Sequence, residues 1–254
     1  MNKLGALAIV AATASLAHAG ARPYAFTQGT DSLATNEIEL ENWFTAQNAG
    51  GHGADNVAWN WWLGPVAGIN EHLEIGLFAI FDESSLTTSG MSMDSLRLQT
   101  TYMPYERGEL PVDFRIRGEL GVPMHYSDGG GSYSGWISAI ASKQLGPVDL
   151  TANVGVWAAR GKYTEMPGVF DTDNIGYFNY AVGASYAVDN HLRVGGEAYG
   201  NEKFSSMRTG HYAGPAVAYG IGRFWLAASY LFADNAPTAA RMNQLGRLVL
   251  GFTL

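Results

Sequence analysis

Cysteine is absent from the 254 residues, and charge is scarce. Without thiols there is no disulfide framework, no Cys-based metal site or nucleophile, and no lipid-modified cysteine behind an export signal. Lys, Arg, Asp and Glu together make up 15% of the chain, well under the roughly 25% of soluble domains. Beyond the N-terminus no stretch reaches the ~18 consecutive apolar residues of a membrane-spanning helix. Basic residues are in deficit, 15 against 23 acidic, for a formal net charge of −8. An acidic surface argues against nucleic acid as a partner.

What is present is glycine, at 32 residues, and aromatics, at 12%. The N-terminus MNKLGALAIVAATASLAHA has the parts of an export signal: Lys3, an apolar run over 4–16, and Ala17-His18-Ala19 as a cleavage site. Cleavage after Ala21 is a second option. Residues 1–19 are therefore expected to be removed, which leaves a formal charge of −9 because Lys3 goes with them. Residues 20–34 are expected as a short leader on the periplasmic side, and 35–254 as the folded body.

The stretch PVDFRIRGELGV at 111–122 sets the pattern for that body. Val112, Phe114, Ile116, Leu120 and Val122 share one parity, and Asp113, Arg115, Arg117 and Glu119 share the other. Strict alternation makes a strand with one apolar and one charged face. Twelve such strands are expected, near 35–45, 57–69, 71–81, 92–103, 111–122, 133–144, 147–158, 174–188, 191–200, 209–219, 222–232 and 241–254. Ile38, Leu40 and Phe44 oppose Glu37, Glu39 and Glu41; Leu96, Leu98 and Tyr102 oppose Arg97, Gln99 and Thr101. Val148, Leu150, Val154 and Val156 oppose Asp149, Thr151 and Asn153, while the eleventh strand, FWLAASYLF, is apolar on both faces.

The connections alternate. Tight turns at Asn70, 104–110, Leu145-Gly146, Asp189-Asn190 and Gly220-Ile221 use residues that tolerate turn dihedrals. Between them lie longer polar loops at 46–56, 82–91, 123–132, 159–173, 201–208 and 233–240. The expectation is an all-β chain: one up-and-down antiparallel transmembrane barrel of about 12 strands with both termini periplasmic. Aromatic girdles are expected from Trp59, Trp61, Trp62, Trp136, Tyr177, Tyr199 and Phe232 at loop-side ends, and Tyr102, Tyr186, Tyr219, Phe224 and Phe252 at turn-side ends. Leu248, Leu250, Phe252 and Leu254 on one parity resemble the C-terminal assembly signal of outer-membrane barrels, with Leu where an aromatic residue is usual.

Little in the sequence marks catalysis. His52, His72, His125, His191 and His211 form no metal-binding pair, and His72 and His191 follow tight turns without an evident role. Gly131-Ser132-Tyr133-Ser134-Gly135 places Tyr where a nucleophile elbow needs Ser, and 155–162 misses a P-loop in spacing. Asp171-Thr172-Asp173-Asn174 offers oxygen ligands for Ca²⁺ without the frame of an EF-hand. No cofactor is expected. The inward parity collects Glu37, Glu39, Glu41, Glu74, Asp113, Glu119, Asp149 and Glu197 with Arg97, Arg115, Arg117, Arg193 and Arg247. Facing walls of opposite charge set the selectivity of aqueous pores; the same charges could instead pair across the lumen and close it.

From ARPYAFTQGTDSLATNEIELENWFT onward, the chain is similar to proteobacterial outer-membrane proteins related to the transporters of the MetA-pathway of phenol degradation family. Arg22-Pro23-Tyr24 and Asn36-Glu37-Ile38-Glu39-Leu40-Glu41-Asn42-Trp43 carry the resemblance. It implies an outer-membrane barrel and uptake of small compounds, aromatic ones among them, and transfers no functional residue. The leading expectation is a non-enzymatic channel for small solutes in the Gram-negative outer membrane. Its partners would be outer-membrane lipid, lipopolysaccharide and the barrel-assembly machinery. A lipid hydrolase and an adhesive barrel with a closed lumen are the alternatives. Folded protein should change its gel migration on boiling and require detergent, whereas a soluble β protein would do neither.

Overall fold

In the computed structural model the described residues are 22–49, 57–83, 92–124, 131–166, 169–171, 175–203, 209–233 and 242–254. Alternation becomes a wall of antiparallel strands: β1 Ile38–Ala49, β2 Val57–Asn70, β3 Leu73–Glu83, β4 Ser92–Tyr102, β5 Asp113–Pro123, β6 Gly131–Leu145, β7 Val148–Met166, β8 Val169–Asp171, β9 Ile175–Ala187, β10 Leu192–Lys203, β11 Thr209–Ile221, β12 Phe224–Ala233 and β13 Met242–Thr253. Each wall strand pairs with its neighbours in sequence, and β1 pairs with β13 from Glu39↔Thr253 onward, which closes the sheet. The short β8 pairs with β7 alone, so the barrel itself has twelve strands. The region 159–173, expected as a loop, instead carries the end of β7 and the short β8.

The faces follow the expected parity. On β5, Arg115, Arg117 and Glu119 are buried, while Leu120 keeps 63% of its surface exposed and Val122 46%. Ile38, Leu77, Leu98, Ile137, Val154, Val182, Val217 and Leu248 repeat this exposure around the wall. Each such side chain left in water forfeits about 1.5–3 kcal/mol. A dozen of them would exceed the ~5–15 kcal/mol net stability of a domain, so this outer surface needs an apolar solvent. It is the surface of a transmembrane barrel.

Height along a strand does not decide which face a ring occupies, and here the girdle expectation is corrected. Trp61 stacks between Phe44 and Phe81 on the outside, at 5.6 and 5.0 Å. Its neighbour Trp62 points the other way and stacks on Trp43 inside the barrel, 5.2 Å away and 2° from parallel. Trp136, Tyr177 and Tyr199 also face inward, the first two packing on buried Trp157 and Ala159. Trp59, Phe232, Tyr102, Tyr186, Tyr219, Phe224 and Phe252 remain on the outer face.

Three turns are two residues long: Glu71-His72, Gly146-Pro147 and Gly222-Arg223, one or two residues beyond their expected positions. Gly146 and Gly222 take φ of 59° and 58°, values that suit glycine because it lacks Cβ. Two turns share a device. His72 N–H donates to Asn70 Oδ1 at 2.8 Å, and His191 N–H donates to Asp189 Oδ1 at 2.7 Å. The backbone donors from His191 and Leu192 hold the Asp189 carboxyl below its ordinary range. Each imidazole Nδ1 then meets the carbonyl ending the next hairpin, Met103 O at 2.9 Å and Gly220 O at 2.8 Å. A carbonyl only accepts, so Nδ1 carries the proton in both.

These turns join β2–β3 and β9–β10, six wall strands apart, and the flanking registers match: Val66↔Gly76 with Ser185↔Gly195, Leu73↔Tyr102 with Leu192↔Tyr219. The two histidines thus have a role the sequence reading did not assign. His72→Ala and His191→Ala should each lower unfolding stability by about 0.5–1.5 kcal/mol, measured by urea titration in lipid vesicles. The double variant should lose the sum of the two effects, because the sites share no partner.

Candidate functional site: the occupied lumen

Residues 22–34, expected as a leader on the periplasmic side, lie inside the barrel instead. The chain leaves the turn-side end of β1 through Asn36, whose φ is 67° and whose N–H donates to Gly68 O at 2.8 Å. It then runs across the lumen with positions 23–28 buried. This segment forms no strand, so its backbone donors need other acceptors. The inward side chains supply them.

Glu197 is the principal anchor. Its Oε1 accepts the N–H of Ala25 at 2.9 Å, and its Oε2 accepts those of Phe26 at 2.9 Å and Thr27 at 2.5 Å, with the Ser229 hydroxyl completing the shell. Asn153 holds Gln28 from both sides, accepting its N–H at 2.6 Å and donating to its carbonyl at 2.8 Å. Glu74 accepts the Leu33 N–H at 2.6 Å and pairs with Arg115, which also donates to the carbonyls of Gly29 and Asp31. Thr30 meets the Ser142 hydroxyl, and Asp31 pairs with Arg107 in the β4–β5 link.

The Tyr24 hydroxyl lies 2.9 Å from both the carbonyl and Oδ1 of Asp149. Burial, with the Asp149 carboxylate adding to it, pushes this phenol well above its ordinary range, so it stays a donor. Its ring rests on Gly183, where a Cβ would stand 2.6 Å from a ring carbon.

Apolar contacts match these polar ones. Ala25 and Phe26 pack into a cluster with Trp43, Tyr212, Ala218, Trp225, Ala227, Leu231, Leu245 and Val249. Leu33 packs on Val66 and Phe78. The two-sided apolar character of β12 has its reason here: Trp225, Ala227 and Leu231 face inward and are covered by the segment.

The remaining sequence-selected charges have local partners. Glu119 accepts from Arg117 Nε at 2.8 Å and from Arg97 at 3.1 Å. Glu41 pairs with Arg22 and accepts from Trp43 Nε1 at 2.7 Å; Glu39 accepts from Trp225 Nε1 at 2.7 Å. Arg117 also donates to Gln28 Oε1 at 2.5 Å, so one amide links it to the segment. Asp113 accepts from Gly108 N–H at 2.6 Å and lies 3.6 Å from Arg107. Glu37 accepts the Ala34 N–H at 3.0 Å, and Arg193 donates to Ser185 Oγ at 3.1 Å and Pro147 O at 3.4 Å. Arg247 donates from Nε to Thr45 Oγ1 at 3.0 Å.

On the turn side, then, the charges hold the inner segment and one another rather than forming two facing walls. His52 and His125 lie outside the described residues, as does most of Asp171-Thr172-Asp173-Asn174.

No protein-family model and no curated protein matches the sequence. Solved structures do match. The NanC porin aligns with TM-score 0.53 at 9% identity, covering 85% of this chain and 100% of that one. An outer-membrane channel from Pseudomonas putida aligns with TM-score 0.54 at 11% identity, over 88% and 97%. The translocator domain of the autotransporter NalP from Neisseria meningitidis aligns with TM-score 0.53 at 13% identity, over 88% and 90%. At these identities the likeness is one of fold.

Glu197→Ala should release the segment. Losing charge-assisted bonds to three buried N–H groups costs at least ~2–3 kcal/mol, which predicts amide exchange at 25–27 about 30–150-fold faster, with the wall strands unchanged.

Proposed function

We propose that the chain is an outer-membrane channel for passive passage of small solutes, narrowed on its turn side by its own N-terminal segment. The porin and channel folds it resembles support this reading, as do the charged interior and the apolar outer wall. The export signal over 1–19 would deliver the chain to the Gram-negative outer membrane, where lipid and lipopolysaccharide would surround it after assembly.

One observation carries the proposal. Residues 22–33 are tied to the wall through side chains, chiefly Glu197, Asn153, Glu74 and Arg115, and not through a strand ladder. They can therefore leave without opening the wall. On this reading Arg115 and Arg117 hold the plug more than they filter ions, so Arg115→Ala would raise conductance as well as alter selectivity.

The occupied turn side also favours a second reading, a closed barrel whose loops bind a partner. Planar-bilayer conductance separates the two. Wild type should conduct weakly or intermittently, and deletion of 22–33 should raise the open level several-fold, with Glu197→Gln intermediate. A folded deletion variant that passes no current would eliminate the channel and leave the closed barrel.

A further inference from the structure

Among the described residues, one arginine midway up the lumen has no carboxylate at salt-bridge distance, although Glu197 and Glu119 act on its charge from farther off. Arg22, Arg97, Arg115 and Arg117 each pair with a carboxylate, and Arg193 stands at the turn-side rim. Arg247 lies midway along β13 on the inward parity, between buried Leu245 and Val249. Among the described residues no carboxylate lies within 4 Å of it. Its neighbours are ring faces, Phe26 at 4.2 Å and Trp43 at 5.7 Å, with Thr45 Oγ1 accepting from Nε. Rings attract a cation, but they accept no hydrogen bond from the fork of terminal N–H groups. With no carboxylate at hydrogen-bond distance, that fork is shaped to take an anion that can reach it.

The surroundings narrow the choice. Trp43 stacks on Trp62, Arg97 lies over Trp62 at 4.5 Å, and the carboxylate-paired Arg22 and Arg117 lie over Trp43 at 5.1 and 5.2 Å, so the two indoles sit among guanidiniums from adjoining elements. Arg97 Nε is buried and has no hydrogen-bond partner among the described residues. Arg247 is only half-buried, and its inward parity places that exposure on the lumen, beside Phe26 of the inner segment. A single planar fork between ring faces and Leu245 suits a planar monoanion with two oxygens, which can take two parallel N–H bonds. A doubly charged phosphate would bring a second charge that the site meets poorly.

We infer that Arg247 is the binding residue of a lumen site for small organic carboxylates, with the Trp43–Trp62 stack as its side wall. This assigns a solute class to the proposed channel and rests on that reading, yet binding can be measured without transport. Protein labelled with ¹⁵N-arginine, folded in detergent micelles, is titrated with sodium butyrate, butanamide and sodium chloride at constant ionic strength. The Nε–H signal of Arg247, assigned by its loss in Arg247→Lys, should shift saturably with butyrate and not with butanamide or chloride.

Folded Arg247→Gln, verified by heat-modifiable migration, should leave the other arginine signals unmoved by butyrate. Arg247→Lys, followed through Arg97, should bind roughly tenfold more weakly because it loses the fork. An equal response to butanamide or chloride overturns the inference, as does an unchanged arginine response in folded Arg247→Gln. Butyrate binding in a barrel that passes no current would leave the site standing and remove only the channel.

Discussion

A bilayer offers no hydrogen bond, so every backbone polar group at membrane depth must find its partner within the protein. The pairing of β1 with β13 meets that demand for the wall, since without it two strand edges would face lipid. The remaining architecture follows. Once the wall is closed and its outer parity is apolar, every inward position belongs to one enclosed space, and whatever enters that space must satisfy its own backbone there.

Residues 22–34 enter without a strand partner. Their N–H groups fall to Glu197, Asn153 and Glu74, and their carbonyls to Asn153 and Arg115. The same side chains that would make a porin lumen wet here take the place of a ladder. Carboxylates serve well because one group accepts several donors, as Glu197 does from three successive residues. The apolar side chains of the segment find Trp225, Leu231 and Phe78, so the interior has a core as well as a charge network.

Much of the wall was legible in the residues. Period-two alternation gave twelve strands and their faces, and Gly, Asn and Asp located the turns within one or two residues. Tight turns were harder to place because neighbouring glycines such as Gly220 and Gly222 differ only in φ. The aromatic rings were harder still: Trp61 and Trp62 sit at the same height, and parity alone separates an outer ring from an inner one. The pairing of His72 and His191 with distant carbonyls could not be read from either turn alone, although the recurrence of an Asx-x-His-Leu sequence at both was visible.

The sequence by itself determined strands that are apolar on one face and charged on the other, because alternation is a local property of neighbouring residues. Only the tertiary structure decided what the charged face meets. The partners of Glu197 lie about 170 residues earlier in the chain, and closure of the wall is what brings them within hydrogen-bond distance. For the same reason residues 20–34 read as a short periplasmic leader, while in the folded protein residues 22–34 lie inside the lumen.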